Sequence, residues 1–117
     1  MADATFRHGA PVMIDYTPAT GNVAAGDVIL LGNLTGLTNV IAHTPIANTK
    51  LGAVASGGGV YEVVNLNNAA NGDKVYWDAA TDKVTTESTN MSLFGFVVRG
   101  GAGGDNSKCL ALHKPYV

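Results

Sequence analysis

The sequence predicts an all-β fold: a single compact domain of short antiparallel strands, arranged as a β-barrel or a sandwich. Short apolar runs rich in valine, threonine and aromatic residues recur about every ten residues along the 117-residue chain, the spacing typical of all-β domains. Fifteen glycines and many asparagines separate these runs, and both residue types suit tight turns because they tolerate positive φ. No segment predicts a long helix, since the alanine-containing stretches are interrupted by Gly and Asn.

The first twenty residues differ in residue pattern from the rest of the chain. Pro11 and Pro18 bracket one strand-like run, VMIDY (Val12–Tyr16), and proline favours extended chain around itself. Residues 1–20 are therefore either an edge strand packed on the domain or an extended N-terminal arm that reaches a neighbouring subunit. Residues 21–117 are expected to form the β domain itself.

Three further strands follow from apolar pattern. DVILL (residues 27–31) is an uninterrupted apolar run, which predicts a strand buried on both faces. VYEVV (Val60–Val64) follows the glycine triplet at residues 57–59, which predicts a turn entering a strand. KVYWD (Lys74–Asp78) alternates, so Val75 and Trp77 are expected on one face.

Two strands are predicted near the carboxyl end. In FGFVVR (residues 94–99), strict alternation places Phe94, Phe96 and Val98 on one face. In CLALH (residues 109–113), it places Leu110 and Leu112 together.

The segment KVYWDAATDKVTT contains the chain's only tryptophan and two aspartates, so it is a candidate for a catalytic or ligand-binding site. Asp78 can accept backbone N–H groups at the start of a turn, and Asp82 stands where positive φ is often needed. A Ca²⁺ site needs about six to eight oxygens, and this loop lacks the calcium-loop pattern. We interpret the segment as a structural hairpin with Trp77 anchored in the core.

No other motif indicates catalysis or a cofactor. Gly104 is followed by Asp105 rather than lysine, so the glycine-rich loop is not a phosphate loop. Cys109 and His113 share a strand face, but about 13 Å of strand separates them, too far to ligate one metal. No nucleophile motif is present. The sequence predicts no metal, no cofactor, no small-molecule substrate and no catalytic residue.

Composition excludes further classes. The net charge is −2 and the seven Lys and Arg are scattered, which argues against nucleic-acid binding. No apolar run is long enough to span a membrane, and the N-terminus lacks a signal-peptide pattern. One cysteine excludes an internal disulfide framework and suits a reducing compartment. Charged residues make up only 14%, which hints that a partner covers part of the surface.

Four segments, in this order, carry a family likeness: AGDVILLGNLTGL, LGAVASGGGVYEVV, GDKVYWDAATDKVTTEST and LFGFVVRGGAGGDNSKCLAL. The chain resembles the capsid cement, or head decoration, proteins of tailed bacteriophages over about residues 12–112, most sharply over residues 72–84. Asp82 departs from the glycine that the family commonly has there. Members are sometimes labelled phage recombinases, but this sequence has no phosphate loop, no motif that places a catalytic glutamate and no basic groove.

The resemblance implies a non-enzymatic β domain that binds the outer capsid surface as a homotrimer and bridges neighbouring subunits of the major capsid protein. It implies a place in the virion, after assembly in the host bacterial cytoplasm. An N-terminal segment could add a strand to a neighbouring sheet, so the expected capsid or subunit contacts are Phe6, Pro11, Val12, Ile14 and Tyr16. The expected core and hairpin residues are Trp77, Asp78, Asp82, Phe94 and Phe96. The alternative is a virion-exposed module that binds glycans or the host surface, with a sugar face around Tyr61, Tyr76 and Trp77.

Overall fold

A computed structural model describes residues 3–31, 38–66, 69–88, 91–100 and 107–115. Within these ranges the chain forms ten strands and no helix, and none of them offers a helix that could cross a membrane. The strands are β1 (Ala4–His8), β2 (Val12–Tyr16), β3 (Val28–Leu31), β4 (Thr38–Ala42), β5 (Gly52–Gly57), β6 (Val60–Val64), β7 (Lys74–Asp78), β8 (Lys83–Thr85), β9 (Ser92–Arg99) and β10 (Lys108–His113).

The strands form two antiparallel sheets that pack as a sandwich. One sheet has six strands in the order β1-β6-β10-β9-β7-β8, and the other has four in the order β2-β5-β4-β3. A single parallel bridge between Asn65 and Val84 brings β8 back towards the end of β6, but the sheet does not close into a barrel. The all-β prediction is confirmed, and of its two architectures the structure has the sandwich.

The main core lies between the sheets. Ile41 and Ala55 from the four-stranded sheet meet Tyr61, Trp77 and Phe94 from the six-stranded sheet, all fully or almost fully buried. The strand alternation explains this arrangement, because β7 shows buried Val75 and Trp77 between more exposed neighbours, as predicted.

A second, smaller apolar cluster covers the opposite face of the four-stranded sheet. Its buried members are Val40, Ala42, Ile46 and Val54, and the partly buried Tyr16, Val23, Ile29 and Leu31 pack against it. Two connecting segments meet over this face, where Val23 and Ile46 form an isolated antiparallel bridge. The four-stranded sheet is therefore covered on both faces, unlike the usual half-solvated antiparallel sheet.

The β1–β2 segment crosses between the two sheets alongside the β5–β6 segment. β1 pairs with β6 and β2 pairs with β5, so each lies at the edge of its sheet. The connection between β1 and β2 runs beside the connection between β5 and β6, and a Cβ on Gly9 would lie 2.8 Å from the Cα of Gly59. Both glycines have positive φ, so only glycine allows this close approach. Both N-terminal strands thus pair with strands of their own chain.

Two details of the sequence interpretation are wrong. The apolar run of β3 is only partly buried, because β3 is an outer strand of the four-stranded sheet. Phe94, Phe96 and Val98 do not share a face, because the pairing of β9 shifts against both β7 and β10. These irregularities bury Phe94 together with Val97, whereas Phe96 is partly buried and Val98 is exposed.

Candidate functional site

The most unusual surface of the described chain is strand β2, which we call the β2 edge (Val12–Tyr16). It is one of the two outer strands of the four-stranded sheet, and among the residues that the structure describes it pairs on one side only. Val12 is 62% exposed, Met13 43% and Ile14 38%. Natural edge strands are commonly short, charged or covered, because an apolar edge is a template for pairing with another chain. Three consecutive exposed apolar residues therefore mark a surface for association.

Alternation along the β2 edge puts Val12, Ile14 and Tyr16 on one face of the sheet. Ile14 pairs with Val54, and Tyr16 packs against the second apolar cluster, so this face continues that cluster outwards. Leu51, 71% exposed, lies beside this edge, directly before Gly52, the cross-strand partner of Tyr16. The exposed apolar surface is thus larger than the strand itself.

The other two predicted contact residues lie outside the β2 edge. Pro11 is partly buried immediately before it. Phe6 lies on β1, at the edge of the six-stranded sheet, where its exposed ring packs 4.8 Å from the His43 ring and 5.5 Å from the Tyr61 ring. Of the five predicted contact residues, one therefore lies on β1, three lie on β2, and Pro11 lies in the connection between them.

The hairpin residues occupy structural positions. Trp77 is 2% exposed, and its ring centroid lies 6.0 Å from that of Phe94. The Oδ1 atom of Asp78 accepts the Ala80 N–H at 3.0 Å, which closes a turn within the hairpin. Asp82 has φ of 57°, the left-handed conformation that the sequence predicts. The Asp78 carboxylate closes the turn, and Asp82 contributes its backbone conformation.

A buried polar network links the two sheets. Asn39 on β4 donates from Nδ2 to Ser92 Oγ at 2.8 Å and to the Leu93 carbonyl at 2.9 Å, and its Oδ1 lies 2.7 Å from His113 Nε2 on β10. Burial lowers the pKa of His113 to about 4, so the imidazole is neutral at pH 7. His43 Nε2 and Tyr61 Oη form a second contact between the sheets at 2.6 Å.

These buried groups are held in unreactive forms. Burial raises the pKa of the Cys109 thiol to about 11 and also raises the pKa of Tyr61, so both stay protonated at pH 7. No cluster of three or more His, Cys, Asp or Glu that could hold a metal occurs among the described residues. The alternative sugar face gains no support, because Tyr61 and Trp77 are buried and only Tyr76 is partly exposed.

Sequence reasoning missed the polar network and part of the exposed surface. Asn39 lies 53 residues from Ser92 and 74 from His113, so no local pattern connects them. Leu51 carries no sequence signal either, because a lone apolar residue in a β protein is usually buried. Met13 lies within the predicted strand VMIDY but was not among the predicted contacts. The glycine-rich loop at residues 101–106 lies outside the described residues.

The comparison with protein families matches the architecture above. The family model described as "Phage cement protein" matches residues 7–112, which includes nearly all of the two sheets. No curated protein and no solved structure matches the chain. The chain therefore belongs to the phage cement protein family, and its role is that of a structural component of a phage capsid.

Proposed function

We propose that this protein binds the outer surface of the capsid as a trimer and stabilises the shell by bridging neighbouring subunits of the major capsid protein. The β2 edge supports the proposal, because no described strand pairs with its outer side and its consecutive side chains Val12, Met13 and Ile14 are all exposed. Such a surface favours association that combines main-chain pairing with apolar burial.

The affinity of the proposed trimer for the capsid would come from several weak contacts. Burying apolar surface is favourable by roughly 25 cal/mol per Å², so the few side chains of one β2 edge provide only modest affinity. A cyclic trimer presents the same contact three times, and its second and third contacts form at high effective concentration. Three edges on three shell subunits would therefore hold more tightly than one and would link those subunits.

The rest of the sandwich suits a rigid spacer. Its core is covered by two sheets, a second cluster backs the four-stranded sheet, and the polar network at Asn39 fixes the sheets to one another. A rigid body transmits load between its attachment points, which is what a protein that braces a pressurised shell requires.

The first test is co-sedimentation of purified protein with capsids that lack it. Ile14→Lys places a charge on the β2 edge and is expected to reduce the bound fraction at least tenfold. Val98→Lys is the matched control, because Val98 has similar exposure (40%, against 38% for Ile14) but lies on the other sheet. Equal loss with both variants, or with neither, would contradict assignment of the contact to the β2 edge.

The bridging part of the proposal is tested separately. Capsids with and without bound protein are heated, and release of packaged DNA is followed with an intercalating dye. Wild-type protein is expected to raise the release temperature, and Ile14→Lys is not. The number of copies per purified virion is expected to be comparable to that of the major shell protein; a handful of copies would contradict a capsid-wide brace.

A further inference from the structure

Three cationic side chains converge on the outer surface of the six-stranded sheet. Arg7 on β1, Arg99 on β9 and Lys108 on β10 line a concave site of about 500 Å³ together with Glu62 on β6. We call this site the basic pocket. Cross-strand register brings it together, because Arg99 pairs with Leu110 and Leu110 pairs with Glu62. The residues therefore meet only in the folded sheet, although the cations are scattered in sequence.

The basic pocket carries more positive charge than its own carboxylate can balance. Glu62 accepts from Arg7 at 2.8 Å and lies 3.9 Å from the Lys108 ammonium. Arg99 is exposed and makes no ion pair with any part of the chain that the structure describes. Three of the seven Lys and Arg of a chain with net charge −2 thus face one carboxylate. The site fits a partner that brings further carboxylates.

The same chain supplies an acidic surface elsewhere. Asp3, Asp27 and Asp82 line a separate concave site of about 420 Å³, which we call the acidic cleft. Asp3 accepts the Val28 N–H at 3.2 Å, and Asp27 accepts the Ala24 N–H at 2.9 Å. Burial raises the pKa of Asp3, the Val28 hydrogen bond opposes the rise, and the negative charges of Asp82 and Asp27 add to it. A cation brought into this cleft would relieve that repulsion.

The two sites share none of the described residues, so one copy can use both at once. Contacts between different surfaces of identical subunits are heterologous and close into a ring when the rotation allows. A ring of this kind is what the proposed trimer needs, and this inference rests on that proposed function. We propose that the basic pocket binds the acidic cleft of a second copy of this chain, head to tail.

Charge complementarity favours a second copy over other occupants. Nucleic acid would need a longer cationic track than three side chains, and the net charge of the chain would repel it. Individual exposed ion pairs contribute little to affinity, so the contact gains strength from several pairs and from ring closure. It must also weaken with salt, because screening shortens from about 10 Å at 0.1 M to about 3 Å at 1 M.

The experiment is sedimentation velocity on the purified full chain at low and high salt. Wild type is expected to associate at low salt and to dissociate towards monomer at high salt. The double variant Arg99→Glu with Lys108→Glu is expected to be monomeric at both. The control Lys50→Glu with Lys74→Glu makes the same change in net charge at exposed lysines outside both sites, and is expected to associate like wild type.

A second variant removes charge from the acidic side while preserving local structure. Asp27→Asn retains an acceptor for Ala24, and Asp82→Gly suits the left-handed backbone at that position. This variant alone is expected to be monomeric. Mixed with Arg99→Glu/Lys108→Glu, it is expected to give a dimer and no larger species, because each pair then has one intact basic pocket and one intact acidic cleft.

Three outcomes would overturn the inference: a wild type that stays monomeric at low salt, a basic-pocket variant that associates normally, and a mixture that forms no dimer. Failure here is distinguishable from failure of the proposed function. If the basic-pocket variant loses capsid binding but keeps its oligomeric state, the pocket contacts an acidic segment of the shell instead. If β2-edge variants bind capsids normally while charge reversal abolishes association, only the capsid contact is wrong.

Discussion

His113 Nε2 lies 2.7 Å from Asn39 Oδ1, and this contact joins β10 of the six-stranded sheet to β4 of the four-stranded sheet. The Asn39 amide orientation is set by its Nδ2 group, which donates to Ser92 Oγ and the Leu93 carbonyl. Oδ1 is therefore the acceptor, and His113 carries its proton on Nε2. The other ring nitrogen, Nδ1, is buried without a hydrogen-bond partner in the described structure. When the pH falls, the proton that makes His113 cationic would have to bind to Nδ1.

We expect the protein to lose stability as the pH falls below neutral. Burial lowers the pKa of His113 from 6.5 to about 4, so the folded chain binds fewer protons than the unfolded chain between these values. The contribution of neutral His113 to the free energy of unfolding is fully present above about pH 6.5. It declines as the pH falls from about 6.5 to about 4, and it is lost below about pH 4. For a fully buried imidazole the total is on the order of 3 kcal/mol.

Urea unfolding at about pH 7 and about pH 4.5 checks this expectation. The unfolding midpoint of wild type is expected to fall between the two, and His113→Gln is expected to remove most of the difference, since glutamine can donate to Asn39 without titrating. Burial also lowers the pKa of His43, but His43 is partly exposed and its contribution is smaller. His43→Gln is therefore the control, and a pH dependence that follows His43 instead would contradict the assignment.

Trp77→Ala is expected to destabilise the fold by about 3–5 kcal/mol. Trp77 is almost fully buried against Phe94, so its removal leaves a cavity in the main core. Tyr76→Ala is the matched control, because Tyr76 is the adjacent residue on the opposite, partly exposed face of the same strand. Thermal melts compare the two. Similar losses for both variants would mean that the core does not rest on Trp77.

The sequence predicted the strands in which apolar and polar residues alternate regularly. KVYWD alternates without a break, and the structure buries Val75 and Trp77 as expected. The pattern failed where pairing is irregular: the shifts along β9 bury both Phe94 and Val97, which strict alternation separates. Strands β4 and β5 were missed because TNVIA and GAVASG are short and rich in small or polar residues.

The candidate site was predictable only in part, for a physical reason. Pro11 and Pro18 marked the N-terminal strand as unusual, because proline restricts the chain locally. The basic pocket and the acidic cleft gave no sequence signal, since their charges come from strands and turns far apart in the chain. Only the register of the folded sheets brings Arg7, Glu62, Arg99 and Lys108 together.

Gly95→Ala is expected to be among the most damaging small substitutions, at about 2–3 kcal/mol or more. Gly95 has φ of 155°, and a Cβ there would overlap the main-chain carbonyl oxygen of Leu112. That oxygen cannot rotate away as a side chain would, so β9 and β10 must separate. Gly21→Ala is the control, because Gly21 has the same φ and no atom of the described residues lies within 4 Å of the added carbon. Chemical denaturation is expected to show a small effect for Gly21 and a large one for Gly95; equal effects would assign the cost to backbone strain alone.

The aspartates of the β7–β8 hairpin offer a test of structure against chemistry. Asp78 accepts the Ala80 N–H and Asp82 holds φ of 57°. Asp78→Asn is therefore expected to be nearly neutral, because asparagine retains the acceptor, whereas Asp78→Ala costs about 1 kcal/mol. Asp82→Gly is expected to preserve stability, and Asp82→Val to lose about 1–2 kcal/mol, because a β-branched residue resists the left-handed conformation.

Both pairs are measured by urea unfolding, alongside capsid co-sedimentation. If the Asp78 carboxylate serves only the turn, capsid retention by the Asp78 variants follows their stability, and Asp78→Asn binds like wild type. Loss of capsid binding by a fully stable Asp78→Asn variant would contradict this, because the two side chains differ in charge but not in their capacity to close the turn. The Asp78 carboxylate would then contact the shell directly, and the hairpin would belong to the binding surface together with the β2 edge.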